Sequence, residues 1–570
     1  MTRQSESDQH PPVPPLVFRV GVTGHRPNRL RGADPQLLAR QVDSVLQAVA
    51  SGARAGESTQ LVLMTSLAEG ADRIAAHSAL ALRFDLAVVL PMPAAQYEAD
   101  FLDEASREEF RKLLKGRRVF TLPAPETEDR TPCYMAASNI LLNQCDLLLA
   151  LWDCQPSQGP GGTTDTLDKA RERGVPTVMI SVTTEASISF QNAGDPLEAV
   201  RQEVGRVLFP VGDLKKDLQV YRTERWPSRT PATAYLALRL FAERRLKMPP
   251  RPRRDYTTAT VRLPDLLTYY RWVDTLAVYY GERSRSASLH LQVLATLSVV
   301  AVLANITFGS NEVAAKILAS TEAVCLLLLF VSIFQVRHGK WHQRWLRYRA
   351  TAEQLRCVDL LAPLGLAATQ SLQYGAEQDQ QAQLMPWLIR RIEAAHCLEN
   401  TVVDDKFLRN RVRHLRDVLN DQIGFQGSSA HRYREAEEFL HSIGLVFFCL
   451  AAVLALYHLL YDFHRLPPAM SEALERNTAL KHGLSALAAM LPALGAAAAA
   501  TVAQGEYKRL AERSKSVCSS LKRLLDKLPS EKTKLSLARV STSCLSATQV
   551  LSGEVRDWSD MFASRPPSLP

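Results

Sequence analysis

Leu289 to Phe308 reads LHLQVLATLSVVAVLANITF, and Ile317 to Val336 reads ILASTEAVCLLLLFVSIFQV. Each stretch is about 20 mostly apolar residues, and at about 1.5 Å of rise per residue that length crosses the hydrocarbon core of a bilayer. Only Gly309 to Lys316 separates them, so the two helices must run antiparallel with both outer ends on one side. Ile443 to Phe463 and Gly483 to Ala503 repeat the pattern. Helices buried in a soluble core seldom stay apolar on every face for so long. The reading is therefore two membrane hairpins and four transmembrane helices, rather than two buried hairpins of a soluble protein.

Charge at the span ends orients them. Arg283 and Arg285 precede the first span, and Arg337, Lys340, Arg344, Arg347 and Arg349 follow the second. Arg432 and Arg434 precede the third, and Lys508, Arg509 and Arg513 follow the fourth. The connecting turns carry fewer cations: Lys316 in one, and Arg465, Arg476 and Lys481 in the other. Positive charge stays on the cytoplasmic side, which predicts a multi-pass protein of a cell membrane with N-terminus, middle segment and C-terminus all cytoplasmic.

The rest of the 570 residues leaves room for two to four domains. A net charge of +9 would suit nucleic acid, but much of the basic excess borders the spans, where anionic headgroups are the expected partner. No nucleic-acid partner is expected. The nine cysteines form no CxxC pair and no metal-like spacing with histidine, so they read as reduced thiols with no metal site. No signal peptide is apparent; the polar, Pro-rich start reads as a disordered tail.

From Val17 the chain alternates strand and helix. Val17 to Val22 ends in Thr23, Gly24, His25, Arg26 and Pro27, and Leu38, Val42, Val45, Leu46 and Val49 then fall on one helical face. Leu61 to Met64 ends in Thr65, Ser66, Leu67, Ala68, Glu69, Gly70, Ala71 and Asp72. Strands follow at Leu86 to Leu90, Arg118 to Leu122, Asp146 to Trp152 and, last, Val175 to Val182, with helices between. Such alternation predicts an α/β, Rossmann-like parallel sheet whose ligand sits at the carboxyl ends of the strands.

The unusual turns lie at those ends. Gly161, Gly162, Thr163 and Thr164 offer free amides and hydroxyls at a helix start, suited to phosphate. Arg26 is placed to pair with phosphate and His25 to hydrogen-bond or carry a proton. Glu69, Asp72 and Asp165 are acceptors suited to ribose hydroxyls or a base edge, and Trp152 offers a stacking face beside Asp153. Ser66 and Gly70 complete the second turn. Taken singly each has a plainer reading, as an N-cap, a turn glycine or a core tryptophan; three such turns at successive strand ends make the stronger case together.

VGVTGHRP, SLAEGAD, CDLLLALWD and GPGGTTDTLDKARERGVP, in that order, resemble the SLOG superfamily of Rossmann-like domains, which includes DprA-like proteins and the LOG nucleotide phosphoribohydrolases. The resemblance covers about a third of the chain, from Val17 to Val182, and implies a nucleotide or nucleotide-derived ligand on the glycine-threonine turn, with no other cofactor. LOG enzymes carry PGGxGTxxE, whose glutamate assists N-glycosidic cleavage. Setting Gly162 and Thr163 on the GT pair puts Thr166 where that glutamate stands, with Asp165 and Asp168 only nearby. No catalytic residue is therefore assigned, and the departure favours binding over turnover.

Trp345 to Arg356 after the second span and Gly505 to Lys515 after the fourth share a Tyr-basic-x-x-Ala-Glu flavour, which suggests a duplicated two-span unit. The unit resembles the SLATT family of two-span modules in bacterial conflict systems. That implies a homo-oligomeric membrane effector, a pore or membrane-perturbing assembly released by the sensor. Glu322, inside a span, is a candidate pore or pairing residue. The expected division is a tail at 1–16, a nucleotide-binding domain at 17–185, a connector at 186–262, two-span units at 263–356 and 428–528 around a cytoplasmic helical segment at 357–427, and a tail from 529. The leading expectation is a nucleotide-sensing membrane effector of bacterial antiviral defence in the inner membrane. The alternatives are a membrane-anchored nucleoside monophosphate phosphoribohydrolase and a constitutive scaffold.

Overall fold

β1 (Leu16–Gly24), β2 (Thr59–Thr65), β3 (Asp85–Leu90), β4 (Arg118–Thr121), β5 (Leu147–Trp152) and β6 (Thr177–Ser181) pair in parallel in the computed structural model. The structure describes residues 10–54, 59–125, 127–156, 161–227, 261–308, 312–368, 384–396, 398, 400–463, 478–505, 507–530 and 533–563. Outside them lie most of the N-terminal tail, Gly159 and Pro160, part of the expected connector, Arg465 and Arg476, and the last residues of the C-terminal tail.

The sheet order is β7-β6-β5-β1-β2-β3-β4-β8, with β7 (Ile188–Phe190) antiparallel to β6 and β8 (Thr401–Val402) parallel to β4. The chain steps outward from β1 to β4 and then returns to lay β5 on the other side of β1. Strand order reverses between β1 and β5, and the crevice above such a reversal is where open α/β sheets bind ligands. The strands are apolar almost throughout because both faces are covered.

One face packs Phe18, Val20, Leu63, Val88, Leu149 and Ile180 against α1 (Pro35–Gly52), α2 (Ala71–Ala81), α4 (Glu104–Leu114) and α7 (Pro196–Leu208). Asp34 caps α1 by accepting from Gln36 N at 3.1 Å, Pro35 takes the first helical position, and the predicted face of Leu38, Val42, Val45, Leu46 and Val49 is fully buried. Each of those side chains contributes about 2 kcal/mol. The short α3 (Ala94–Tyr97) packs Tyr97 against Phe110 of α4, with ring centroids 5.9 Å apart. The other face packs Val62, Met64, Val89, Leu148 and Ala150 on α5 (Thr131–Gln144) and α6 (Thr163–Glu172), and then continues without a break into the helical region.

That region comprises α9 (Pro264–Phe308), α10 (Glu312–Gly339), α11 (Trp341–Leu361), α12 (Leu384–His396), α13 (Asp405–Asp462), α14 (Thr478–Gly505), α15 (Tyr507–Lys527) and α16 (Leu537–Ala563). At 45 and 58 residues, α9 and α13 are about 68 and 87 Å long, more than twice a bilayer core. Their N-terminal parts belong to the helical body, and their C-terminal parts are spans. Among the described residues, four helices are long and apolar enough to cross a membrane. Their apolar side chains face outward: Phe330 on α10 is 70 % exposed and Phe448 on α13 is 68 % exposed, where a soluble core would bury them. This is a membrane protein by that observation.

α9 packs on both α10 and α14, and α14 also packs on α13, so the spans follow one another as a row in the order second, first, fourth, third. Thr501 Oγ1 donates to Gln292 Oε1 at 2.8 Å across the central pair. Gly444 of α13 and Gly495 of α14 bring backbones close; a Cβ on Gly444 would stand 3.8 Å from the Gly495 carbonyl. Glu322, half-buried, is not in the central pair.

The two units share a design. α10 breaks after Gly339, where Lys340 takes φ +45°, and α11 folds back along α9. Gly281 makes room for the Trp345 ring, while the Arg283 and Arg285 guanidiniums lie over Trp341 and Trp345. In the second unit α15 folds back along α13, and Tyr507 meets Tyr433 with ring centroids 6.5 Å apart.

Two expectations are revised. Thr177–Ser181 is not the last strand, since β7 and β8 flank the sheet. The expected connector instead carries β7, α7 and α8 (Gly212–Arg222), and α7 packs on α1 as part of the α/β domain. The 357–427 segment packs beside the α/β domain: α12 docks on β1, and β8 extends the sheet beside β4.

That docking is polar at its centre. Arg391, 1 % exposed, donates to Val17 O at 2.6 Å and to Asp146 Oδ1 at 2.8 Å. Arg390 donates to Asp146 Oδ1 and to the carbonyls of Asn143, Gln144 and Cys145, which close α5. Burial opposes the Asp146 charge, but Arg391 and Arg390 together hold its carboxyl below the usual range.

Candidate functional site

The crevice forms where β1 and β5 end and α6 begins. Two glycines close its floor. A Cβ on Gly24 would stand 2.3 Å from the Ala71 Cβ, and one on Gly70 would stand 2.6 Å from the His25 carbonyl. Gly70 also holds φ +92°, which only glycine takes without strain. The β1 and β2 turns thereby lock together, with Ala71 N donating to His25 O at 3.2 Å.

His25 is buried between the neighbouring strand and helix. Its Nε2 lies 2.9 Å from Asp153 Oδ1, and its Nδ1 lies 3.4 Å from Thr163 Oγ1. Asp153 is held in turn by Arg29, whose Nε donates to Oδ2 at 2.7 Å, and by the Gln155 amide at 3.1 Å. Burial pushes the His25 pKa down, with Arg29 acting in the same direction against Asp153, so the ring is neutral at physiological pH. A carboxylate facing Nε2 favours the proton there and leaves the Nδ1 lone pair toward Thr163.

α6 opens with Gly162 at its N-cap, which has no side chain to spend on the first-turn amides. Gly161, at φ +83°, turns the chain in, and its amide donates to Asp165 Oδ2 at 3.0 Å. Trp152 Nε1 donates to Thr164 Oγ1 at 3.2 Å, tying the β5 end to the same helix start. Thr163, Thr164, Gly161, Gly162, Trp152, Asp153 and His25 thus meet at one place. Arg26 is exposed at its rim, donating to the Asp100 carbonyl at 3.3 Å.

The second turn is different. Asp72 Oδ2 accepts from Thr65 Oγ1, Ser66 N and Ala68 N at 3.0 to 3.3 Å, and it shapes the β2 turn. Burial pushes its pKa up to about 6, outweighing these donors. Glu69, 6 % exposed, accepts from Leu102 N and Ser106 Oγ and fastens α4. Asp165 pairs with Lys169 at 2.8 Å. These carboxylates, expected as ligand acceptors, hold the protein's own groups here. Thr166, where the expected LOG resemblance would set a glutamate, is buried and donates to Gly162 O, while Asp168 pairs with Arg171 on the exposed side of α6.

Sequence reading passed over Arg29 and the neighbouring cluster in which Arg130 and Tyr134 both donate to Asp100. Arg29 had a signal: it is the second arginine of the HRPNR turn, one helical turn after Arg26. Among the described residues, no group of three or more His, Cys, Asp or Glu converges as a metal site. Compared with known proteins, the chain matches no family model and no curated protein.

Proposed function

We propose that this chain is a nucleotide-sensing membrane effector: a nucleotide or nucleotide-derived ligand occupies the crevice above β1 and β5 and controls the four-span region. The observation that carries this reading is the convergence at the switch point of an α6 N-terminus whose N-cap glycine places no side chain on the first-turn amides, the glycine pair Gly161 and Gly162, and the cations Arg26 and Arg29. A helix dipole and exposed amides favour phosphate, and arginines add charge-assisted donors. Glycine at the N-cap lets the ligand approach the backbone.

The same sheet is bonded to the helical body at both the Asp146 cluster and β8, and α13 runs from β8 directly into the third span. A ligand that prefers one arrangement of the crevice therefore biases the spans through differential affinity alone. The row of spans leaves broad apolar faces for lipid or for further copies of the chain, which fits a homo-oligomer that opens or perturbs the bilayer. The proposed setting is a bacterial inner membrane with both termini in the cytoplasm, in a conflict system.

The test is binding of a panel of nucleotides and cyclic nucleotides to detergent-solubilised protein, wild type beside Gly162→Trp. Retention of one member by the wild type, lost in the variant, is the expected result. Equal retention by both places the ligand elsewhere, and no retention removes the sensor reading.

A further inference from the structure

We propose that the crevice also transfers a phosphoryl group from a nucleoside triphosphate to Thr163, with His25 as the general base that Asp153 orients. This rests on the nucleotide reading above and adds chemistry to it.

The inference stands on three side chains from three elements. Thr163 Oγ1, on the first residue of α6, lies 3.4 Å from His25 Nδ1; His25 Nε2 lies 2.9 Å from Asp153 Oδ1; and Asp153 is itself fixed by Arg29 and the Gln155 amide. A hydroxyl within reach of a base, whose far nitrogen is held by a third group, is the arrangement that activates an oxygen nucleophile. Apo spacings of this kind tighten when substrate arrives. If His25 served only to tie β1 to β5, its bond to Asp153 would suffice. The second nitrogen instead addresses a hydroxyl at the mouth of an anion-favouring helix.

The step balances without another reactant. Thr163 Oγ attacks the terminal phosphorus, forming an O–P bond as its proton passes to His25 Nδ1 and then to solvent. The anhydride P–O bond breaks, and its electron pair leaves on the bridging oxygen of the departing nucleoside diphosphate, which needs no proton. The α6 amides receive the charge that builds on the transferring oxygens. The product is a phosphothreonine at the helix N-terminus, where its added negative charge is favoured. Occupancy of the sensor would then outlast the free nucleotide.

Asp153 is a positioning residue, and it can be told from a merely structural one. The charged groups facing His25 are Asp153 at the β5 end and Arg29 in the β1 turn; Thr163 from α6 is uncharged. Asp153 raises the His25 pKa, so Asp153→Asn moves the acid limb of the pH–rate profile to lower pH, whereas structural loss lowers the rate at every pH.

The experiment incubates full-length protein in lipid nanodiscs with common ribonucleoside triphosphates labelled on the terminal phosphorus, following bound nucleotide and protein-bound label separately, and locates the modified residue by mass spectrometry. The expected result is label on Thr163, absent in Thr163→Val, restored in Thr163→Ser, and slowed roughly 100-fold in His25→Gln. Nucleotide bound without label on Thr163 overturns the transfer and leaves the sensor reading standing. Undiminished label in Thr163→Val also overturns it. No triphosphate bound removes the premise along with the inference.

Discussion

At the scale of residues, the crevice depends on a few positions where no other side chain serves. Gly70 is one, because φ +92° and the His25 carbonyl 2.6 Å from any Cβ act together. Gly70→Ala should destabilise the α/β domain by about 2 kcal/mol or more, read as a lower thermal midpoint of the solubilised protein and loss of ligand retention. Two buried titrating groups give opposite pH signs. Asp72 has its pKa raised from 3.8 to about 6, so the folded state binds the extra proton between those values. Its contribution is fully present below pH 3.8 and is lost as pH rises through about 6; Asp72→Asn should remove that fall from a stability–pH curve. His25 is lowered from 6.5, so its contribution is present above pH 6.5 and is lost as pH falls through its folded value; His25→Gln should flatten that limb.

At the scale of elements, the docking of α12 decides whether sheet and spans act as one body. Arg391→Met leaves Asp146 buried with weaker compensation, which should cost on the order of 3 kcal/mol and raise amide hydrogen exchange along Leu384–His396. Unchanged exchange there would show that the contact does not hold the element. Strands such as Leu147–Trp152 were legible in the sequence, since an apolar run between polar turns has one reading in a sheet covered on both faces. The helix face of α1 and the four spans were legible for the same reason: periodicity or length records burial directly. β8 was not, because two residues carry no period, and Thr401–Val402 becomes a strand only when β4 offers its edge. The bond between Asp146 and Arg391 joins residues 245 apart in sequence, and nothing local announces it. At the site, the turns at the ends of β1 and β5 were found by residue type, whereas the fates of Glu69, Asp72 and Asp165 were set by partners that composition does not name.

At the scale of the whole molecule, the Rossmann-like sheet and the helical body beside it share one continuous hydrophobic core, and α13 runs from that body into the third span without a break. Rigid continuity of that kind passes a small displacement along the helix axis rather than dissipating it in a linker. Gly444→Leu should wedge α13 from α14, since a Cβ there already meets the Gly495 carbonyl at 3.8 Å. The expected outcome is altered bilayer permeability in proteoliposomes with nucleotide retention unchanged. The most direct test of the central claim is dye release from liposomes holding the wild-type protein as the nucleotide panel is added on the face that carries the α/β domain, with Gly162→Trp alongside. Release triggered by a nucleotide that the solubilised protein retains, and absent in the variant, is what a crevice-controlled membrane region predicts. Release that is independent of every nucleotide, or that persists in Gly162→Trp, would contradict it.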